Sequence, residues 1–306
     1  MDQRLAALQR LLELEKLEAN LFRGASRDIG SPQVYGGQVL GQALKAVYAT
    51  VEPDRSAHSL HAYFLRRGDF NAPIVYCVDR SRDGHSFTSR RVTAIQHGEQ
   101  IFHLAASFQL PQVGLEHQLE MPQVPPPEAL STNLPFGAES IAHFPERLRQ
   151  KYLHERPFEY RVVPAALAGT SSKTPRQYFW LRSVDRLPDD DLLHRCLLAY
   201  VSDFHLLSTA LLPHDRSALG GQLMMASIDH AMWFHWPVRV DDWLLYASDS
   251  PSASGARGFT RGSIYTRSGR LVASTAQEGL LRLLPAAAGP TSEPTSEPIS
   301  EPISEG

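Results

Sequence analysis

Three residue types at separated positions can do chemistry together: Asp203 in "SDFHLLSTALL" (202–212), Ser227 in "MMASIDHAMWFH" (224–235) and Gln277 in "VASTAQEGLLR" (272–282). A carboxylate near a water can act as base or electrostatic positioner. A hydroxyl and an amide can hold that water in place, and positioning alone lowers a barrier by several kcal/mol. Each residue also has a plainer reading. Asp203 reads as the acid at the start of a helix, where Asp usually serves as an N-cap. Ser227 alone reads as a strand hydroxyl bonded to a neighbour. Gln277 is odder, because an amide among small apolar residues in a strand demands partners.

Other arrangements carry less. Ser227, Asp229 and His230 resemble a triad on paper, but strand alternation sends 227 and 229 one way and 230 the other. There is no GxSxG elbow. His230 and His235 lie five apart without HExxH, so no metal site is expected. No GxGxxG or Walker sequence occurs. The formal charge of −3 owes much to Glu293, Glu297, Glu301 and Glu305, and the remainder is near neutral. That gives no footprint for nucleic acid. Cys77 and Cys196 have no CxxC spacing and read as reduced, buried residues of a cytosolic chain. No apolar run reaches the 18 or so residues of a membrane span, and acids interrupt what would be a signal's apolar region. The final "SEG" is not a peroxisomal SKL-type signal, so a cytoplasmic location is expected.

The elements around these residues repeat. Residues 1–20 read as an N-terminal amphipathic helix on the spacing of Leu5, Leu8, Leu11, Leu12 and Leu14. Gly37–Thr50 reads as a helix lying close against a flat surface, with strands at 59–66, 73–80, 86–96 and 100–110. A Pro-rich linker over 111–155 follows, partly helical towards its end. Strands then return at 158–163 and 177–184, and "SIDHAMWF" echoes "SLHAYF". "GFTRGSIYTRSGRLVASTAQEG" echoes "SFTSRRVTAIQHGEQIFHLAASF". This is an internal duplication. Asp203 aligns with Gly36 and Gln277 with Ala106, so one copy keeps the polar set and the other replaces it with small residues. One site per chain follows, with polar groups from the second half and space from the first. Two independent sites per chain would contradict it. Residues 286–306, a Ser-Glu-Pro repeat, read as a disordered tail outside the fold.

With "VYGGQVLGQAL", "SLHAYFLRRGD", "RDGHSFTSRRV", "YVSDFHLL", "SIDHAMWFH" and "STAQEGLLR" on the page, the chain resembles the type II acyl-CoA thioesterases from about Leu21 to Leu284. The resemblance implies an α+β double hotdog, with repeats over 21–110 and 156–285, each a curved antiparallel sheet wrapped around a central helix. It implies hydrolysis of fatty acyl-CoA to fatty acid and CoA without metal or cofactor, in a homo-oligomer. It carries the catalytic roles onto Asp203, Ser227 (Thr in many relatives) and Gln277. Where relatives often have Pro after the first Arg of "FLRRGD", this chain has Arg67.

A thiol of pKa about 8.5 leaves readily, which relaxes the need for a general acid. The oxyanion needs N–H donors, and the helix start at Gly36 and Gly37 is the candidate. Arg90 is the candidate contact for CoA phosphates, although with Arg91 it also reads as a solvated surface pair. Two other readings keep the same trench: a hotdog dehydratase or hydratase, for which His205 is poorly placed beside Asp203, and a non-catalytic acyl-CoA binding module.

Overall fold

The computed structural model describes residues 1–31, 33–131, 156–214 and 223–284. The Ser-Glu-Pro tail and the end of the Pro-rich linker lie outside the described residues.

Alternating apolar residues drive the strands of the first half: β1 (Glu15–Glu18), β2 (Leu21–Gly24), β3 (Ser56–Phe64), β4 (Ile74–Asp83), β5 (Phe87–Gln96) and β6 (Glu99–Gln109). In β5, Thr88, Arg90, Val92 and Ala94 turn inward and the residues between them face outward, the period of two expected of a strand with one covered face. The second half supplies β7 (Phe158–Val162), β8 (Arg176–Ser183), β9 (Leu223–Ser227), β10 (Asp229–Phe234), β11 (Leu244–Ser254), β12 (Arg257–Thr266) and β13 (Leu271–Leu283). All pairings are antiparallel, in the order β1-β2-β4-β5-β6-β3-β10-β13-β12-β11-β8-β7, with β9 beside β13. The order β4-β5-β6-β3 mirrors β11-β12-β13-β10 across a seam where Asp229 faces Tyr63 and Trp233 faces Ser59. Duplication in sequence is thus duplication in topology. Gly98 and Gly269, equivalent by alignment, both turn with positive φ, at 79° and 89°, a conformation that glycine adopts without steric cost.

Among the described residues, three α-helices pack on the inner side of the sheet or on one another. Helix α1 (Gln3–Leu12) buries Leu5, Leu8, Leu11 and Leu12. It is shorter than the leucine spacing suggested, because the chain beyond it turns into strand pairing. Glu15 stands opposite Arg23, whose Nε donates to Glu15 Oε2 at 2.8 Å. Helix α2 (Gly36–Tyr48) lies on β4, β5 and β6 and buries Leu40, Ala43, Leu44 and Val47. Helix α3 (Asp191–Ser202) starts at Asp190, which accepts from Leu193 N, and packs against α2. Gly41 serves this helix packing rather than a sheet contact, since a Cβ there would lie 2.9 Å from Leu12 Cδ2 and 3.1 Å from Cys196 O.

The repeats differ at one point. In the second half, the segment lying on β11 and β12 is a short 3-10 turn, Leu207–Leu211, which follows α3. The described part of the linker, 111–131, lies along the second half, where Trp180 Nε1 donates to Pro125 O at 2.9 Å and Gln118 Nε2 to Gly269 O at 2.7 Å.

Candidate active site

Asp203 follows the last residue of α3 as its C-cap, so it does not open a helix of its own. The helix start that it meets belongs to α2 in the other repeat. The Gly37 backbone N–H lowers the Asp203 pKa, and a Cβ on Gly36 would lie 2.7 Å from Asp203 Oδ2. At Gly37 a Cβ would stand 2.1 Å from Tyr200 O. Only glycine lets the mouth of α2 meet the end of α3 this closely. An acid here also sits at the positive end of the α2 dipole.

Gln277 on β13 is fully buried. Its Nε2 donates to Asp203 Oδ1 at 2.7 Å and to Ser227 Oγ at 3.0 Å. The structure therefore brings Asp203, Ser227 and Gln277 into one hydrogen-bonded cluster. Asp203 accepts only, which fixes the amide orientation. Both amide hydrogens are then engaged, the Ser227 hydroxyl keeps its own proton to donate, and Gln277 Oε1 has no hydrogen-bond partner. Burial raises the Asp203 pKa above the ordinary carboxylate range, against the lowering effect of the Gln277 and Gly37 hydrogen bonds.

Support around Asp203 comes from residues for which the sequence indicated no role there. Ser202 Oγ donates to Ala199 O at 3.0 Å, so it accepts from His230 Nε2–H at 3.0 Å. Tyr246 Oη donates to Ser202 O at 2.8 Å and lies 2.9 Å from Thr275 Oγ1. Tyr35 Oη donates to Tyr200 O at 3.0 Å. The available signal was a set of polar side chains on the covered face of apolar strands, such as Thr275 two residues before Gln277.

Strand alternation through 227–230 fails. Ser227 and His230 both reach the helix side, because the strand breaks between β9 and β10. At that break Ile228 N donates to Glu278 O, and Asp229 Oδ1 accepts from Glu278 N at 2.7 Å. Asp229 thus completes the backbone pairing, and His230 bonds Ser202 rather than Ser227.

Two expectations about substrate contacts change. Gly37 is not among the residues that line the cleft described below, whereas Gly36 is. Arg90 lies elsewhere: it is 2% exposed, and its guanidinium donates to Thr50 Oγ1, Thr50 O, Arg82 O, Ser89 O and Asp83. It pairs with inward-facing Ala106, so it is a buried brace, neither a surface residue nor placed to meet a phosphate. Only Arg91 of that pair is exposed.

The cleft, about 260 Å³, is lined by Gly36, Val39, Phe64, Phe102 and Ser227 together with a polar end at Gln33, Arg66 and Arg67. It meets the cluster at Ser227, and most of its wall comes from the first repeat.

A tandem pair of hotdog repeats enclosing an acid, a hydroxyl and an amide defines the class, and sequence comparison agrees. Residues 147–280 match the family model described as acyl-CoA thioesterase, and residues 24–109 match that of the acyl-CoA thioesterase N-terminal domain. The chain belongs to the acyl-CoA thioesterase family, as a type II member, and is an acyl-CoA thioester hydrolase. It is 44% identical over 273 residues to acyl-CoA thioesterase 2 of Haemophilus influenzae, covering 89% of this chain and 96% of that protein. It is 41% identical to acyl-coenzyme A thioesterase 8 of Mus musculus, covering 93% and 91%. Among solved structures, the acyl-CoA thioesterase II TesB2 of Mycobacterium marinum matches with a TM-score of 0.77 at 42% identity, covering 92% of this chain and 100% of that one. A hot dog fold protein from Alicyclobacillus acidocaldarius, at 20% identity and a TM-score of 0.71, supports the fold alone.

Proposed function

We propose that the chain hydrolyses fatty acyl-CoA through a water held by Asp203, Ser227 and Gln277. The observation that carries this reading is the shared Gln277 amide, which ties Asp203 Oδ1 and Ser227 Oγ within 2.7 and 3.0 Å of one nitrogen. Asp203 takes a proton from the water as its oxygen attacks the thioester carbonyl carbon. Ser227 O–H and Gln277 Oε1 orient the water. The C–S bond then breaks, and the thiolate recovers the proton from Asp203. A carboxylate of raised pKa suits a base working near neutral pH. The N-terminus of α2 at Gly36 places positive potential beside the charge that develops on the carbonyl oxygen.

A dehydratase needs a histidine working with the acid. His205 is instead packed against the rings of Phe204, Tyr160 and Phe179. We also assign the chain to a cytoplasmic homo-oligomer. The fully exposed Val113 and Leu115 of the linker support assembly, and light scattering checks it.

The test of the site is thiol release from palmitoyl-CoA by wild type and by Asp203→Ala, Ser227→Ala and Gln277→Ala. Unchanged turnover in all three variants removes the site assignment. Binding without turnover by the wild type, on every acyl chain tried, leaves a binding module.

A further inference from the structure

The cleft that Gly36 and Ser227 line is also lined by two adjacent arginines with different surroundings. Arg66 Nη1 donates to Gln100 O at 2.7 Å and Nη2 pairs with Glu99 at 3.1 Å. Arg67 is exposed and makes no hydrogen bond or ion pair among the described residues. The acids nearest in sequence are engaged elsewhere: Asp69 accepts from Asn71 N and pairs with His97, and Glu99 holds Arg66.

The backbone on both sides of Arg67 is fixed. Leu65 N and Arg66 N donate to Ile101 O at 2.9 and 3.1 Å, and Val34 N donates to Gly68 O at 2.9 Å. Arg67 is therefore anchored at its root and unpaired at its tip. Its distance from the cluster is bounded. The Phe64 ring lies 3.0 Å from where a Gly36 Cβ would stand, and three residues of chain reach at most about 10 Å beyond Phe64. A flexible arginine stem extends further along the cleft wall.

Acyl-CoA has matching geometry: a thioester at one end of the uncharged pantetheine arm and phosphates at the other. With the thioester at Ser227, the arm runs out along the cleft and the phosphates emerge at its rim. A guanidinium there can meet a phosphate with two parallel N–H donors. We propose that Arg67 is the phosphate contact for the CoA moiety, a specificity-determining residue that separates CoA thioesters from thioesters of uncharged thiols. This rests on the acyl-CoA reading of the cluster above.

The test compares acyl-CoA with the matching acyl-pantetheine, at the chain length the wild type turns over fastest. Arg67→Ala is expected to raise KM for acyl-CoA roughly five- to tenfold with kcat unchanged. Arg67→Lys recovers part of that loss, added salt narrows the gap, and neither variant changes kcat/KM for acyl-pantetheine. An equal rise in KM for both substrates, or no rise for acyl-CoA, overturns the proposal. Calorimetric titration with free CoA separates it from the hydrolase reading. A similar loss of CoA affinity in Arg67→Ala sustains the phosphate contact even if the wild type turns nothing over, in which case the hydrolase reading alone falls. Equal CoA affinity in wild type and variant overturns the contact whatever the turnover.

Discussion

The Asp203 carboxylate of the second repeat lies against the mouth of α2 in the first, where a Cβ on Gly36 would stand 2.7 Å from Asp203 Oδ2. Asp203 and Gly36 occupy equivalent positions of the duplication, and they touch. A carboxylate at both positions would set two like charges against each other. Glycine in one copy and aspartate in the other leaves one acid, a helix N-terminus to hold it, and room for substrate.

That arrangement makes the two glycines separable. Gly36→Ala would press a methyl group onto Asp203 Oδ2, a side-chain atom that can shift. Gly37→Ala would press one onto Tyr200 O, a helix carbonyl that cannot. Gly37→Ala should destabilise the fold by about 2–3 kcal/mol, as overpacking does. Gly36→Ala should cost less stability and more than tenfold in kcat/KM, on the scale of a misplaced catalytic group. Thermal unfolding and turnover measured on both variants check this; equal stability losses would contradict it.

Asp203 sets the acid side of the pH profile. Its working form is the carboxylate, and burial lifts its pKa above the usual range. Activity should therefore fall with acidification at a pH above the ordinary aspartate value of about 3.9. Gln277→Ala removes a hydrogen bond that lowers this pKa. The acid limb should then move to higher pH, with a drop of roughly 10²-fold in kcat/KM. For stability the sign is opposite. The folded state binds this proton more tightly than the unfolded chain, so stability present at low pH is lost as pH rises through the folded pKa. Asp203→Asn should raise Tm at neutral pH while abolishing turnover. A profile whose acid limb sits at the same pH in wild type and Gln277→Ala would refute this assignment.

Much of this site was legible as residue types. The strands and the duplication follow from apolar alternation and internal echo, and the resemblance to the thioesterases marked the trio of segments. What was not legible is tertiary. "SDFHLL" looks locally like an N-cap, but the helix whose N-terminus Asp203 meets starts 167 positions earlier in the chain, at Gly36. The break that turns both Ser227 and His230 inward depends on Glu278 N finding Asp229 as acceptor, a contact between distant segments. Alternation rightly separates Arg90 from Arg91, yet which one faces inward is a matter of register. Arg90 opposite the buried Ala106 decides it.

Arg90 yields a prediction that separates bracing from binding. Its guanidinium joins the end of α2, through Thr50, to the β4–β5 edge at Arg82 and Asp83. Arg90→Ala should cost about 2–3 kcal/mol of stability by leaving buried acceptors unmatched. Asp83 is 62% exposed, so the ion pair itself adds little. KM for acyl-CoA should stay within about twofold at a temperature where the variant is folded, against the larger effect at Arg67. A rise in KM without a loss of stability would return Arg90 to the substrate.

His230 supplies the last test, because its role is positional and its titration is visible. It is 1% exposed, donates to Ser202 beside Asp203, and has no partner at Nδ1. Burial pushes its pKa down to about 3, whereas an unfolded histidine titrates near 6.5. Between those values the unfolded chain binds the proton and the folded one does not, so stability is lost as pH falls from about 6.5 towards 3. His230→Gln cannot titrate and keeps a donor for Ser202. Its Tm should fall less steeply over pH 6 to 4 than that of the wild type. Ser202→Ala strands the buried Nε2–H and should cost about 1–3 kcal/mol. It should also lower kcat more than KM changes, because the end of α3 that carries Asp203 loses its tether to β10. Parallel Tm–pH curves for wild type and His230→Gln would show that this histidine does not titrate on unfolding and would remove it from the support of Asp203.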